Sequence, residues 1–315
     1  MIVTVTPNPA LDLTLTVPRI LLNDVLRATD SRVDWGGKGF NVSRALQALG
    51  IESLALGLLG GHTGRRLAEG LDAAGIETDF VWVGGETRTS IVVTTEGNDD
   101  EHLKVNEVGP VVRSDEVEAL VERVRGRVQP DDVWVFSGSL PPGAPANLYA
   151  RMIDLVQGQG ATAVLDTSGE PLQLGCRAAP FLVKPNVVEV EQVTGRSLRS
   201  EADAQSAAQI LSGWGINWVA LSMGADGLLL SRVGEAVCAS PPRVDVRNAV
   251  GAGDALVAGL VWGLLHSLSA LDMARWAVAT GTVAAVKEGV AFGNLIEVTE
   301  MCERISVRRV NGPGG

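Results

Sequence analysis

Short apolar runs rich in β-branched residues alternate with stretches of helical periodicity along most of the chain. The runs are almost continuously apolar, which is typical of parallel strands covered on both faces. Strands are predicted at residues 2–6, 53–58, 132–136, 161–166, 181–184 and 217–221. Because strands and helices alternate, the pattern predicts an α/β fold with a mainly parallel central sheet.

Amphipathic stretches lie between these strands. Apolar residues recur at i, i+3, i+4 and i+7 in two of them, at Val42, Ala45, Leu46 and Leu49 and again at Val117, Leu120, Val121 and Val124. The spacing predicts helices with one buried face. Gly50 is placed to end the first helix, and Ser114 is the predicted N-cap of the second.

Two regions break the alternation. Residues 12–17 alternate polar and apolar side chains, and residues 79–106 hold three strand candidates, 80–83, 90–95 and 102–106, with no helix between them. This pattern favours a small antiparallel sheet beside the main one. One interpretation is a plain extension of the domain. The other is a lid over a site, or a dimer surface, because the exposed edge of a sheet is usually covered.

The predicted organisation is one domain over residues 1–310, with lid strands from about residues 12–35 and 79–106. Residues 311–315, which contain three glycines and a proline, are predicted to be a disordered tail. Apolar residues make up 46% of the chain and charged residues 20%, so the chain can bury a large core.

The net charge of −11 argues against broad binding to nucleic acid or to anionic membranes, since both need positive fields. A phosphorylated metabolite could still bind where a few Arg and Lys converge. The three cysteines are far apart, and the first residues lack a basic signal-peptide region. The most apolar run, 255–265, is about half the length of a spanning helix and is predicted to be a buried helix. A cytoplasmic location is expected.

A glycine-rich segment leads directly into that apolar helix. Gly251, Ala252 and Gly253 precede Asp254. Free backbone N–H groups and the helix dipole at such a helix start suit a phosphate. Asp254 is either a stabiliser of the helix N-terminus or the base that takes a proton from an attacking hydroxyl. The spacing alone leaves both interpretations open.

Two further segments combine glycine or proline with polar side chains. The first, residues 36–41, contains Gly37, Lys38 and Asn41 and opens the helix that continues to Leu49; it lacks Walker A spacing. The second follows the strand at 181–184, where Asn186 and Glu189 are one helical turn apart. That pair is either a capping box or a pair that holds Mg²⁺ through water.

These motifs occur in the order found in the PfkB (ribokinase-like) family of carbohydrate kinases, which the chain resembles over residues 1–289. Residues 6–12 (TPNPALD) resemble the opening of the phosphosugar branch, and residues 36–46 resemble the first family signature. Residues 250–254 (VGAGD) resemble the second signature, and residues 106–110 (NEVGP) are similar to a segment of 1-phosphofructokinases. The branch also contains tagatose-6-phosphate kinase and the minor 6-phosphofructokinase.

The resemblance implies a three-layer ribokinase-like fold with a small β-sheet lid, and it implies roles for individual residues. Asp254 would be the base, and Gly251, Ala252 and Gly253 would form an anion hole. The sugar phosphate would be held by Asp12, Arg27, Gly37, Lys38, Asn41, Arg88 and Ser139. ATP would lie against Lys184, Asn186, Glu189, Ser222, Gly224 and Gly227, with Mg²⁺ near Asn186 and Glu189.

The implied reaction is ATP-dependent phosphorylation of a phosphorylated ketohexose, with fructose 1-phosphate as the leading substrate. Alternatives are tagatose 6-phosphate, fructose 6-phosphate, an unphosphorylated sugar or nucleoside, and a sugar-binding regulatory protein without turnover. The chain departs from the branch at Ala249 and Ala255, and also after Arg88, which is followed by residues 89–92 (TSIV) where the branch usually has an Asn and then a Lys. The lid sheet is the expected surface for a homodimer.

Overall fold

The computed structural model describes residues 1–95 and 98–310. The predicted tail at 311–315 lies outside the described residues. The helices are α1 Lys38–Ala48, α2 Gly61–Ala73, α3 Ser114–Arg127, α4 Leu148–Gly158, α5 Gly169–Arg177, α6 Val187–Thr194, α7 Glu201–Ser212, α8 Ala252–Leu265, α9 Ala270–Ala285 and α10 Leu295–Cys302.

The strands alternate with these helices over most of the chain. They are β1 Ile2–Thr6, β2 Ala10–Val17, β3 Asp30–Gly36, β4 Leu54–Gly60, β5 Glu77–Val83, β6 Arg88–Thr95, β7 Asn98–Asn106, β8 Val133–Ser137, β9 Thr162–Asp166, β10 Leu182–Val183, β11 Trp218–Ser222, β12 Leu228–Arg232, β13 Glu235–Ser240 and β14 Ser306–Arg309. The six strands predicted from apolar runs are all present; β1 has the predicted bounds, and the others are shifted by one or two residues.

Within the described residues, ten strands form the main sheet in the order β14-β13-β12-β11-β10-β9-β8-β1-β4-β5. In this spatial order, neighbouring strands from β5 to β11 pair in parallel. The pairs β11–β12, β12–β13 and β13–β14 are antiparallel. Side chains on β1 alternate between two cores, since Val3 and Val5 contact one cluster and Ile2 the other. The α/β prediction of a mainly parallel sheet between helical layers is therefore confirmed.

A second sheet, with the order β3-β2-β6-β7, corresponds to the predicted lid and is termed the lid; β2 and β6 pair in parallel, and the other two pairs are antiparallel. Three of its four strands come from the predicted strand segments 12–17, 90–95 and 102–106, and β3 falls largely within the predicted lid range of about 12–35. The fourth predicted segment, 80–83, belongs elsewhere: β5 pairs in parallel with β4 at the edge of the main sheet. The prediction failed there because α2 is the crossover helix before β5, so β4, α2 and β5 form one βαβ unit rather than part of a hairpin series.

Both predicted helices are present, and the N-cap of the second differs from the predicted residue. Helix α1 ends at Ala48, and Gly50 follows with φ +80°, as expected of a glycine that stops a helix. Helix α3 is capped by Arg113 instead of Ser114, because Glu116 accepts a hydrogen bond from the Arg113 N–H at 2.7 Å. In the described part of the chain, no helix is long and apolar enough to cross a membrane.

Candidate active site

The glycine-rich segment at 251–253 forms the start of α8. Gly251 has φ +84°, a left-handed conformation that favours glycine, and it caps the helix. The N–H of Ala252 donates to the Ala249 carbonyl at 3.3 Å. The N–H of Gly253 lies in the first turn, where helix geometry leaves it without an intrahelical acceptor. A Cβ added to Gly253 would meet no atom within 4 Å, so the space beside this turn is open.

Asp254 lies in the same turn and is 6% exposed. Its Oδ2 accepts a hydrogen bond from Asn41 Nδ2 at 2.8 Å, and its Oδ1 lies 3.7 Å from Lys38 Nζ. Burial raises the pKa of Asp254, the nearby Asp166 raises it further, and Lys38 and the Asn41 hydrogen bond oppose the rise. A carboxylate with a raised pKa beside the free N–H group of Gly253 is suited to accept a proton from a hydroxyl.

Asp166 joins two lysines of the site. It ends β9, it is fully buried, and it lies 3.0 Å from Lys38 Nζ and 3.1 Å from Lys184 Nζ. Although burial alone would raise the pKa of Asp166, Lys184 and Lys38 together lower it. Sequence reasoning assigned Asp166 no role, although it had placed a strand at 161–166. The rule that ligands bind at carboxyl ends of parallel strands could have found it.

The first turn of α1 carries Lys38 and Asn41, after Gly37, whose φ is +132°. The lid residue Asp12 lies beside this turn, because its carboxylate fills the space that a Cβ on Gly36 would need. Burial raises the pKa of Asp12 to about 6, against the opposing charges of Lys104 and Arg88. Sequence-predicted residues from β2, α1 and α8 therefore meet at one place.

A cleft of about 430 Å³ lies at the same edge of the sheet and is lined by Asn8, Arg88, Glu107 and Ser139 among others. Arg88 Nε donates to the Asn8 carbonyl at 3.3 Å, and Arg88 Nη1 donates to the Glu107 carbonyl at 3.2 Å. Asn8 Nδ2 donates to the Ser139 hydroxyl at 3.2 Å. The buried Oδ1 of Asn8 has no hydrogen-bond partner among the described residues. Asn8 belongs to the motif at residues 6–12, but no function was predicted for it from the sequence.

Arg27 is not brought to this cleft. It is exposed between β2 and β3, at the end of the lid where Val17 and Asp30 lie. Arg88 lies at the opposite end, where Ala10 pairs with it. Seven residues of strand separate the two ends, which is about 23 Å at 3.3 Å per residue. Within one chain Arg27 is therefore far from Arg88 and Ser139.

The predicted nucleotide-binding residues lie at the carboxyl ends of β10 and β11. Lys184 is buried, and the Ser222 hydroxyl donates to the Pro185 carbonyl at 3.3 Å. Gly224 and Gly227 both have positive φ values, +59° and +94°, in the turn after β11. These residues lie along one edge of the main sheet, and the ion pair between Lys38 and Asp166 lies farther along the same edge.

Asn186 and Glu189 form a capping box at the start of α6. Glu189 N–H donates to Asn186 Oδ1 at 2.9 Å, and Asn186 N–H donates to Glu189 Oε2 at 2.8 Å. The capping interpretation is thus present in the structure, and it leaves Glu189 Oε1 free of this box. Asp166 is the main cause that raises the pKa of Lys38, and the charges of Asp254 and Glu189 add to that rise.

Comparisons with known proteins agree with this geometry. The model of the "pfkB family carbohydrate kinase" matches residues 8–296. Phosphofructokinase-2 from Escherichia coli, in a complex with potassium, is 30% identical with a TM-score of 0.91 over 96% of this chain and 98% of its own. A protein named as a possible 1-phosphofructokinase from Thermotoga maritima is 28% identical, with a TM-score of 0.89 over 99% of this chain and 100% of its own.

The family match covers most of the chain, and the matched solved structures share its fold. The chain belongs to the pfkB family of carbohydrate kinases and is a phosphofructokinase-like sugar kinase, a phosphotransferase that acts on an alcohol group of its sugar.

Proposed function

We propose that the chain transfers the γ-phosphoryl group of ATP to fructose 1-phosphate and produces fructose 1,6-bisphosphate. The observation that carries this proposal is the position of segment 106–110, which resembles 1-phosphofructokinases and lines the Arg88 cleft. The Glu107 carbonyl accepts from Arg88, and the Val108 carbonyl accepts from Asn8 Nδ2 at 3.1 Å. Gly109, with φ +95°, packs against the Asn8 amide, where a side chain would clash.

The cleft offers the donors that an existing phosphate needs. The guanidinium of Arg88 can bind phosphate oxygens with two N–H groups. The Ser139 hydroxyl also belongs to the lining of the cleft and adds a third donor. Since the net charge of the chain is −11, such a local cation is what lets an anionic sugar bind. Asp12, on the same face of the lid as Arg88, accepts hydrogen bonds from sugar hydroxyls.

Asp254 takes the proton from the accepting hydroxyl. Asn41 holds Oδ2, so Oδ1 is the oxygen free to receive the proton. The N–H groups at the start of α8 then stabilise the charge that develops on the transferred phosphoryl group. Lys38, which lies between Asp166 and Asp254, keeps a positive charge beside both carboxylates. Closure of the lid excludes water, which would otherwise compete as acceptor.

PfkB kinases use ATP, typically with Mg²⁺, and the residues present fit both. Mg²⁺ usually binds one or two carboxylates and completes its shell with phosphate oxygens and water. Glu189 offers the oxygen outside its capping box, while the described residues hold no cluster of three or more acidic, His or Cys side chains for a metal. When bound, Mg²⁺ would neutralise phosphate charge near Asn186 and Glu189, and Lys184 would contact the nucleotide phosphates.

The test is a coupled ADP-release assay with fructose 1-phosphate, fructose 6-phosphate, tagatose 6-phosphate and free fructose. The expected result is the highest kcat/KM with fructose 1-phosphate. Fructose 6-phosphate is the second candidate, because a solved structure of the Escherichia coli relative contains that sugar. A higher kcat/KM for free fructose than for all three phosphates would refute the phosphosugar assignment.

We also propose that two copies pair through the outer face of the lid. Leu103 and Val105 of β7 are 43% and 62% exposed and lie opposite Val93 and Ile91 of β6. They form an apolar row on the face away from Asp12 and Arg88. A solved structure of the Escherichia coli relative is named as a tetrameric inhibited form, so that protein assembles. Light scattering should give a dimeric mass that Val105→Asp reduces to a monomer; a monomeric wild type would refute the pairing.

A further inference from the structure

Arg44 lies on α1 one turn after Asn41, and its guanidinium makes contacts in two directions. Arg44 Nη1 donates to Asn41 Oδ1 at 3.3 Å, and Arg44 Nη2 donates to the Val290 carbonyl at 2.9 Å. Its Cζ atom also lies 5.2 Å from the centre of the Phe292 ring. One side chain thus joins α1 to the segment that follows α9.

The segment at 290–292 supports the start of α8. A Cβ added to Gly251 would lie 3.2 Å from Val290 Cγ1 and 3.6 Å from Phe292 Cε1. Gly251 has a left-handed φ and is the N-cap of the helix that carries Asp254. Val290 and Phe292 therefore pack beside Gly251 and restrict the backbone of the proposed anion hole.

The first direction of contact reaches the base. Arg44 binds the carbonyl oxygen of the Asn41 amide, so the amide nitrogen must point the other way, toward Asp254. That nitrogen donates to Asp254 Oδ2 at 2.8 Å. A planar guanidinium can serve both acceptors at once, which the single ammonium of a lysine cannot do with the same geometry.

We propose that Arg44 is a positioning residue that holds the catalytic base and the anion hole in one fixed relative geometry, through Asn41 on one side and the 290–292 segment on the other. The proposal rests on the assignment of Asp254 as the base. It gives a role to a residue outside the two sets proposed to hold the sugar and the nucleotide.

Charged groups of the lid face Arg44 as well. Burial lowers the pKa of the guanidinium, Asp34 and Asp12 raise it, and Arg32 lowers it. Arg32 itself forms an ion pair with Asp34 at 2.9 Å and fills the space beside Gly289. Two lid carboxylates thus favour the charged form of Arg44, and the lid rests on the same segment that Arg44 binds.

The test compares Arg44→Gln and Arg44→Lys with the wild type in the ADP-release assay. Both are expected to lose about tenfold to a hundredfold in kcat, since small displacements of catalytic groups have effects of this size. KM for sugar and for ATP should change much less than kcat, because the contacts of Arg44 are with Asn41, Val290 and Phe292 and with none of the residues proposed to bind ATP. Arg151→Gln, which removes a surface pair with Glu118, is the matched control and should keep full activity.

A double-mutant cycle with Asn41→Ala separates positioning from general support. If Arg44 acts through Asn41, the loss in kcat of the double variant will be smaller than the product of the two single losses. Thermal unfolding shows whether each variant folds. If Arg44→Gln does not fold, Arg44→Lys, which retains the positive charge, is used for the test instead. The proposal would be overturned if both Arg44 variants kept full kcat. It would also be overturned if the loss in kcat of the double variant equalled the product of the two single losses. A wild type that releases no ADP with any sugar would instead refute the proposed function.

Discussion

Asn41, in the first turn of α1, donates a hydrogen bond of 2.8 Å to Asp254, in the first turn of α8. The two residues are 213 positions apart in the chain, and both are buried. Oδ2 of the carboxylate lies toward Asn41, and Oδ1 lies toward Lys38, the first residue of the same helix. Two helix starts, each preceded by glycine, therefore meet where the phosphoryl group would be transferred.

Removing the base tests the central assignment. Asp254→Asn keeps the shape of the side chain and the fold, and it should lose about 10²- to 10⁴-fold in kcat, as expected when a general base is removed. Nucleotide binding, measured by calorimetry, should persist. Asp72→Asn, an exposed aspartate on α2, is the control and should be fully active. Near-complete activity of the Asp254 variant would exclude it as the base.

The pH dependence of kcat should show an acid limb set by Asp254. Burial raises the pKa of this carboxyl group, so the fraction of active carboxylate falls at a higher pH than for an ordinary aspartate. Asn41 donates to the ionised form and lowers that pKa. Asn41→Ala should therefore move the acid limb of the kcat profile to higher pH. A limb that stays in place, or moves down, would contradict the assignment.

Gly253 offers a test that separates stability from function. A Cβ there would meet no atom, so Gly253→Ala should fold normally and gain up to about 1 kcal/mol from helix propensity. The added methyl group would enter the space proposed for the phosphoryl group, and kcat should fall. Gly126→Ala in α3, where a Cβ also meets no atom, is the matched control. Thermal unfolding and kcat of both variants check the prediction; equal activity would mean that the space is not used.

Arg88 should determine the preference of the enzyme for sugar phosphates over neutral sugars. Arg88→Ala removes the cleft's guanidinium, so KM should rise far more for fructose 1-phosphate than for free fructose. Hydrogen bonds to charged groups contribute about 1.5–3 kcal/mol, which corresponds to roughly a tenfold to hundredfold increase in KM. Arg65→Ala, an exposed arginine on α2, serves as control. An equal rise for both sugars would place the phosphate elsewhere.

Sugar binding should weaken in mild acid because of Asp12. Its pKa is raised to about 6 by burial, with Asp34 adding to the rise and Lys104, Arg88 and Ser90 opposing it. The ionised form accepts hydrogen bonds from sugar hydroxyls, and protonation removes part of that capacity. KM for the sugar should therefore increase as pH falls through about 6. In Asp12→Asn the KM should be high at every pH, and an unchanged pH dependence in that variant would assign the effect to another group.

Much of the local structure could be predicted from the sequence alone. Apolar runs identified β1, β8, β9 and their neighbours, since a parallel strand buried on both faces must be apolar throughout. Glycines before α1 and α8 indicated two anion-binding helix starts, because free N–H groups at such a start depend only on local conformation. The resemblance to PfkB kinases then connected Asp254, Lys38 and Asn41 before any contact was known.

Long-range relationships were decided only by the tertiary structure. The edge position of β5, the distance of Arg27 from Arg88, and the bridges made by Asp166 and Arg44 all depend on contacts between segments far apart in sequence. Periodicity reports which face of an element is buried, but it does not report what that face meets. Residues 80–83 have the composition of a lid strand, yet pairing with β4 places them in the main sheet. Asp166 ends an ordinary buried strand, and only folding brings two lysines to its carboxylate.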